Sequence, residues 1–150
     1  MRMKSIVQPT DSLFGDVKLE WNKNFSADWN ERFHKAQVFV DSECIRLMSM
    51  YTPFKTGALD RAATIGTKIG SGEIRQYTPY ARYQYYGMLM VSSVTGSAWA
   101  RRGEKKVLTN KALQYQQTRP KAGKMWFARM KADYKDKILE GAKAKFGGDS

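Results

Sequence analysis

Apolar side chains recur every three or four residues along the first third of the chain. The repeating positions are Trp29, Phe33, Ala36, Val40, Cys44, Leu47 and Tyr51. Because an α-helix turns once in about 3.6 residues, this spacing places them all along one helical face. Pro53 disfavours helical backbone at Thr52, so the helix must end there. We predict a helix over residues 28–50 with Ser26 as its N-cap, and other elements must cover its apolar face.

The segment after this helix has the composition of β-strands. Residues 59–69 are rich in alanine, threonine and isoleucine, and residues 73–77 alternate apolar and polar side chains. Gly70 and Gly72 lie between them and signal a turn, so we predict a hairpin. A third strand is predicted over residues 88–94.

Two further helices are predicted. Pro79 suits the first turn of a short helix that ends at Gly87. Apolar side chains at four-residue spacing from Trp126 predict a C-terminal helix that runs to about Lys145. Residues 95–120 lack clear periodicity and predict a long loop, and loops of that length inside a compact domain are often functional.

Together these elements indicate an α+β fold. The long N-terminal helix and the C-terminal helix are expected to pack on one side of a small antiparallel sheet. The length of 150 residues fits a single domain with a substantial core. Within it we expect an extended lead over residues 1–24 with a short strand at 17–21, the long loop over 95–120, and a flexible tail over 147–150.

Positive charge is concentrated in the last third of the chain. Residues 101–150 carry 14 basic and 5 acidic side chains, a net +9, whereas residues 1–100 have a net charge of only +3. A basic segment indicates a negatively charged partner, either nucleic acid or an acidic protein surface, and a solvated face without a partner is an open alternative. No apolar run approaches the roughly twenty residues of a membrane span, so we expect no membrane contact.

His34 and Cys44 are the only histidine and the only cysteine. They are ten residues apart on the predicted helix, too far to pair as a nucleophile and its base. One of each also cannot fill a zinc site, which takes four such ligands. We therefore predict a buried Cys44, a surface His34, no metal or cofactor, and no enzymatic activity. A lone cysteine excludes an internal disulfide and suits assembly in a reducing cytoplasm.

Two segments begin with the same Tyr-Thr-Pro tripeptide, at Tyr51 and at Tyr77. In the first, Pro53 and Gly57 flank a turn with Thr56 that we expect to lead from helix to sheet. The second segment adds four more tyrosines: Tyr80, Tyr83, Tyr85 and Tyr86. Tyrosine combines a large ring with a polar tip, so these side chains could serve the core or an interface, and both alternatives stay open.

Three blocks of sequence occur in a defined order after the first helix. They are a Thr-Pro-x-x-Thr-Gly-x-Leu turn at residues 52–59, a Pro-Tyr-Ala-x-Tyr-x-Tyr-Tyr-Gly segment at 79–87, and a loop followed by an aromatic helix start at 118–131. This order resembles the minor capsid, or tail-completion, proteins of long-tailed bacteriophages, and the similarity spans about residues 25–146.

The resemblance implies a structural virion protein of the phage neck with no catalytic role. Such a protein would form a homo-oligomeric ring between portal-side and tail-side rings at the head–tail junction, after assembly in the bacterial host cytoplasm. Its expected partners are other neck and tail proteins: a connector, a tail terminator or the tail tube. A ring requires head-to-tail contacts between two different patches of each subunit.

We take the tyrosine block and the long loop as the candidate patches. The interface candidates are Tyr80, Tyr83, Tyr85, Tyr86, Trp99, Arg101, Arg102, Lys105 and Lys106. The alternative function is non-specific DNA binding by the basic C-terminal part, since no base-reading motif is present. The candidates for that contact are Arg119, Lys121, Lys124, Arg129 and Lys131. The two functions are compatible, because packaged DNA passes through the neck of such a particle.

Overall fold

A computed structural model describes residues 4–116 and 119–148 of the protein. This part of the chain contains four helices and two small antiparallel sheets of two strands each, which confirms the predicted α+β class. In chain order the elements are β1 (Ser12–Phe14), β2 (Val17–Leu19), α1 (Phe25–Met48), α2 (Ala58–Gly66), α3 (Ala81–Tyr86), β3 (Met88–Ser92), β4 (Lys106–Ala112) and α4 (Trp126–Gly147).

The described chain divides into two compact units. Unit 1 contains the residues up to Glu43, residues 68–73, and those from Asp136 onward, and unit 2 contains residues 44–67 and 74–135. The single domain predicted from the sequence stays a prediction. Of the predicted tail, Gly147 closes α4, and residues 149 and 150 lie outside the described residues.

An aromatic cluster packs the start of α1 against the end of α4 in unit 1. Ring centroids lie 5.0 Å apart between Trp21 and Phe25, and 5.6 Å apart between Phe25 and Trp29. Phe146 of α4 completes the cluster, 5.0 Å from the Trp29 ring and 4.9 Å from the Phe33 ring. Tilted and edge-on contacts of this kind suit the charge distribution of aromatic rings. The predicted long helices are confirmed, and their apolar faces meet here.

The N-terminal lead is held to the start of α1 by side-chain amides. The Asn30 amide accepts the Ile6 N–H at 2.8 Å and donates to the Ile6 carbonyl at 3.0 Å. Gln8 Oε1 accepts the Ser26 N–H at 2.9 Å. The predicted N-cap at Ser26 is wrong, because α1 already begins at Phe25 and the glutamine of the lead satisfies this early N–H. The predicted strand in the lead is confirmed as β2, which pairs antiparallel with β1.

Asp41 fixes the turn at residues 68–73 to α1 within unit 1. Its carboxylate is buried, and Oδ2 accepts the Gly70 N–H at 2.8 Å and the Gly72 N–H at 3.0 Å. Oδ1 accepts the Gln37 side-chain amide at 2.8 Å. Both glycines have positive φ, so the predicted turn signal is confirmed. A buried carboxylate is tolerated here because three donors replace its water.

The predicted hairpin over residues 59–77 is wrong. Its first half forms α2, because Leu59 and Ala63 are one helical turn apart and both are buried. Its second half forms no strand and is held by side chains instead. The Arg75 N–H donates to Thr67 Oγ1 at 3.0 Å, and the Gln76 amide donates to the Leu59 carbonyl at 2.9 Å. The turn at Gly57 therefore leads from helix to helix.

The predicted loop over residues 95–120 is wrong in part, because it contains β4. This strand pairs antiparallel with β3, with Met90 opposite Leu108 and Ser92 opposite Lys106, and a bulge interrupts the ladder between Met88 and Met90. The strand predicted at 88–94 is confirmed as β3. β4 escaped recognition because nearly all of its side chains are exposed, so the strand lacks an apolar face.

The remaining helix predictions are confirmed. α3 ends at Tyr86 and is capped by Gly87, whose φ of 71° places it in the left-handed region that closes helices. α4 begins at Trp126, which is 1 % exposed, and Met130 one turn later is fully buried. In the described part of the chain, no helix has the length and apolar character needed to cross a bilayer.

We predict that Gly66→Ala destabilises the protein, whereas Gly147→Ala does not. Both residues end a helix, but a Cβ at Gly66 would lie 2.6 Å from the Arg75 carbonyl oxygen, whereas a Cβ at Gly147 meets nothing within 4 Å. We expect the first change to lower the free energy of unfolding by about 1–3 kcal/mol. The second should leave it unchanged or raise it by up to about 1 kcal/mol. Urea denaturation of the two variants measures the difference, and equal stabilities would contradict the close approach.

Candidate interface surface

The tyrosines of α3 divide between the core and the surface. Tyr80, the residue that precedes the helix, is 43 % exposed, and Tyr86 at its end is 50 % exposed. Tyr83 and Tyr85 are half-buried. The sequence left core and interface open for these residues, and the structure divides the block into half-buried and exposed members.

Tyr85 connects α3 to the core of unit 2. Its ring lies edge-on to Trp126, with centroids 4.8 Å apart, and Tyr86 lies edge-on to Tyr85 at 5.3 Å. The indole Nε1 of Trp126 donates to Gln76 Oε1 at 3.1 Å. Tyr85 therefore serves packing, and Tyr86 rests on it as the outer ring.

Polar contacts fix the C-terminal end of α3. The Met125 N–H donates to the Tyr85 carbonyl at 2.8 Å, and the Tyr115 hydroxyl donates to the Gln84 carbonyl. Met125 has a φ of 53°, a strained value for a residue with a side chain, just before α4 begins. Burial raises the pKa of the Tyr115 hydroxyl, which keeps it protonated as a donor. The exposed tyrosines thus sit on a backbone that is held from two other segments.

The turn motif forms one wall of a cleft beside this helix. Gly57 has a φ of 76° and precedes α2, and a Cβ there would lie 2.8 Å from the Phe54 ring. Thr56 is exposed, and Pro53 is half-buried. The cleft has a volume of about 460 Å³ and is lined by residues 53–59 and 113–116 together with Tyr80 and Gln84. None of these lining residues is an acid, a histidine or a cysteine.

Arg119, a candidate for phosphate contact, is bound inside unit 2. Its guanidinium donates to the Ser49 carbonyl and, at 3.2 Å, to the Asp60 carboxylate. The same group lies 4.3 Å from the centroid of the Phe54 ring, a cation–π distance. Arg119 therefore ties the end of α1, the turn motif and α2 together.

Lys121 and Arg129 are also committed within unit 2. The Tyr51 hydroxyl donates to Asp133, and Lys121 Nζ donates to the same hydroxyl at 3.3 Å. Lys121 Nζ lies 5.1 Å and the Arg129 guanidinium 5.5 Å from the centroid of the Tyr51 ring. Burial, with the Asp133 hydrogen bond second, raises the pKa of Tyr51, and the hydrogen bond to Tyr51 raises the pKa of Lys121.

The other two nucleic-acid candidates, Lys124 and Lys131, are exposed, and so is the side chain of Lys121. The Lys124 carbonyl accepts the Arg129 Nε–H at 2.9 Å, so its backbone supports the start of α4 while its side chain faces outward. Three lysines of the proposed phosphate-binding set are therefore presented to solvent, whereas Arg119 and Arg129 are half-buried.

The loop between β3 and β4, residues 93–105, with Lys106 at the start of β4, forms a second exposed surface, which we call the basic tip. Trp99, in the middle of this loop, is 83 % exposed. The basic side chains of the tip are all exposed: Arg101, Arg102, Lys105 and Lys106. Glu104 orders the loop, because its Oε2 accepts hydrogen bonds from the hydroxyl of buried Ser92 at 2.6 Å and from the Arg101 N–H at 3.1 Å. Lys106 Nζ donates to the Ala98 carbonyl at 2.8 Å.

Sequence reasoning missed the polar residues that support these surfaces. Gln76, Glu104 and Tyr115 act through contacts to residues distant in the sequence, and an isolated polar residue has no periodic or motif signal. His34 is exposed and Cys44 is buried, as predicted. Among the residues that the structure describes, no three histidine, cysteine or acidic side chains gather in a way that could hold a metal ion.

Comparisons with protein-family models, with curated proteins and with solved structures found no match to this chain.

We predict that Tyr51→Phe makes stability less sensitive to alkaline pH. Below the ordinary tyrosine pKa of about 10, the hydroxyl is protonated in both states and its full contribution is present. Because the folded-state pKa is raised, the unfolded chain loses this proton first as the pH rises, and the native protein loses stability. Above that pH, the free energy of unfolding should therefore fall more steeply for the wild type than for the variant. At neutral pH the variant should be less stable by about 1 kcal/mol, because it lacks the hydrogen bonds of the hydroxyl.

The measurement is urea denaturation at a series of pH values from neutral to alkaline. Tyr80→Phe is the matched control, because it removes a hydroxyl from an exposed ring. Identical alkaline slopes for the wild type and Tyr51→Phe would contradict the role assigned to the Tyr51 hydroxyl.

Proposed function

We propose that this chain is a structural virion protein of a phage neck, which joins portal-side and tail-side rings through protein–protein contacts. The observation that carries the proposal is the convergence of the three sequence blocks in unit 2. The turn motif, α3 and the segment around residues 119–131 come from separate parts of the sequence, yet they form one ordered region with two exposed tyrosines. No catalytic role is proposed for it.

Direct contacts join the three blocks. The Gly123 N–H donates to the Tyr51 carbonyl at 3.2 Å, at the entrance to the turn motif, and the Met125 N–H donates to the Tyr85 carbonyl in α3. Arg119 adds the ion pair with Asp60 in α2. These bonds give a physical reason for the three blocks to occur together, and this supports the resemblance on which the proposal rests.

The surface chemistry also favours an assembly protein. Interfaces are enriched in tyrosine, tryptophan and arginine, and these residue types are exposed on α3 and on the basic tip. An ordered backbone beneath exposed rings lowers the entropy lost on binding. A ring subunit contacts its neighbours through unlike patches, and unit 2 presents two separate exposed surfaces, α3 and the basic tip.

Non-specific DNA binding has weaker support as an alternative function. Arg119, Lys121 and Arg129 are engaged with Asp60, Tyr51 and backbone carbonyls. A phosphate contact by Arg119 would have to compete with its ion pair to Asp60, so its charge is less available than the sequence indicated, whereas Lys121 is exposed.

We predict that Tyr80→Ala combined with Tyr86→Ala abolishes head–tail joining without unfolding the protein. Each ring is about half exposed and Tyr86 also lies edge-on to Tyr85, so each change should lower the free energy of unfolding by no more than about 1 kcal/mol. Complementation of a phage that lacks this gene, scored by electron microscopy, should give separate filled heads and tails. Leu139→Ala, on an exposed position of α4, is the control. Normal yields of joined particles with the folded double variant would contradict the proposal for this surface.

We predict that Arg119→Gln lowers stability by about 1–3 kcal/mol and leaves any duplex DNA affinity unchanged, because the guanidinium is used inside the protein. Thermal unfolding and a salt titration of DNA binding give the two readouts. A variant of normal stability whose binding loses about one unit of salt dependence would instead favour the DNA alternative.

A further inference from the structure

We infer that the partner of the basic tip is a second copy of this chain, and that the contact is made by the β1–β2 hairpin of that copy. The inference rests on the proposed function, and it deepens it by naming the two complementary surfaces of a head-to-tail contact. It is carried by the exposure and the opposite charge of two hairpins in the same chain.

The β1–β2 hairpin exposes apolar side chains that the described chain leaves uncovered. Leu13 is 72 % exposed and Val17 is 67 % exposed, and Leu19 is nearly half exposed. The register pairs Ser12 with Leu19 and Leu13 with Lys18, so Val17 and Leu19 lie on one face of the ribbon and Leu13 on the other. A two-stranded ribbon is marginally stable by itself in water, and such exposure marks a contact surface.

This hairpin is acidic although the chain as a whole is strongly basic. Residues 11–20 contain three carboxylates and one lysine, a net charge of −2, within a protein of net charge +12. Lys18 is paired with Glu20. Asp11 accepts the Trp21 N–H at 2.9 Å and thereby closes the base of the hairpin, and Asp16 is exposed at its turn. The ribbon therefore presents negative charge beside exposed apolar groups.

The basic tip carries the opposite charge and is also the turn of a two-stranded antiparallel ribbon, formed by β3 and β4. Residues 99–106 contain four basic side chains and one carboxylate, a net charge of +3. That carboxylate, Glu104, is occupied by Ser92 and by the Arg101 N–H, so the outward charge of the tip is positive. Trp99 and Val94, which is 74 % exposed, add apolar surface. An exposed tryptophan is the residue type that most often dominates binding energy at an interface.

Complementary charge selects a head-to-tail arrangement over a symmetric one. Two acidic hairpins repel each other and so do two basic tips, whereas one of each attract. A contact of unlike patches repeats from copy to copy, which is the geometry that a ring requires. Duplex DNA could also bind the basic tip, but it would leave the acidic apolar hairpin without a role.

The first experiment exchanges the charges. Asp16→Lys with Glu20→Lys should weaken self-association at low ionic strength by at least about tenfold, and so should Arg101→Glu with Arg102→Glu. A mixture of the two double variants should regain association, because each supplies the surface that the other has lost. Sedimentation velocity over a range of concentrations and salt measures this. Lys143→Glu with Lys145→Glu, and Asp136→Lys with Glu140→Lys, make the same charge changes on exposed positions of α4 and should have little effect.

The second experiment maps the contact directly. Val17→Cys and Val94→Cys are prepared separately and treated with a short bis-maleimide, alone and mixed. The mixture should give a cross-linked dimer that neither variant gives alone, and salt should suppress it. The native Cys44 is buried, and the wild-type protein controls for its reactivity.

A wild-type protein that remains monomeric at every soluble concentration would overturn the inference. Charge exchanges that act no differently from the α4 controls would also overturn it. So would self-association that duplex DNA abolishes but that the hairpin variants leave unchanged. Cross-linking of Val17→Cys to itself as efficiently as in the mixture would contradict it as well. Complementation of phage particles distinguishes failure of the proposed function from failure of the proposed contact. Joined particles without this protein would refute the proposed function, whereas particles that need the protein but tolerate both charge exchanges would refute only the contact.

Discussion

Burial of the Trp126 indole is the constraint on which unit 2 depends. Its ring meets Tyr85 edge-on, and its Nε1–H donates to Gln76, whose amide donates in turn to the Leu59 carbonyl. One side chain at the start of α4 thus fixes the short tyrosine helix, the irregular segment around Gln76 and α2. Met125 accepts a strained backbone conformation at the same place, and the buried indole and its contacts offset that cost.

The distribution of positive charge has two different physical roles. Arg119 and Lys121 are placed over aromatic rings and beside polar oxygens in unit 2, where they order the segment that leads into α4. The cations of the basic tip are instead held outward by a loop that Glu104 and Ser92 organise from within. Net charge alone could not separate these roles, because the difference lies in which cations find partners within the fold.

The predictable parts of the fold were those with long periodic signals. α1 and α4 extend over many turns, so one misplaced residue does not obscure the pattern. Gly87 indicates the end of α3 because glycine readily adopts the left-handed conformation of a helix cap. α2 was misassigned because composition favoured a strand, whereas burial of Leu59 and Ala63 decided for a helix. The division of the tyrosines between core and surface was also beyond the sequence, since it depends on contact with Trp126 far along the chain.

The exposed β4 strand has a consequence for the solution behaviour of the protein. A two-stranded sheet leaves an unpaired row of backbone donors and acceptors along each side, and such edges invite indiscriminate growth of sheets between molecules. β4 carries Lys106 and Lys111, and the bulge opposite it in β3 breaks the regular ladder. Charge repulsion between the lysines and the irregular ladder both oppose pairing of β4 edges between molecules, so this exposed strand is a poor starting point for fibrous aggregation.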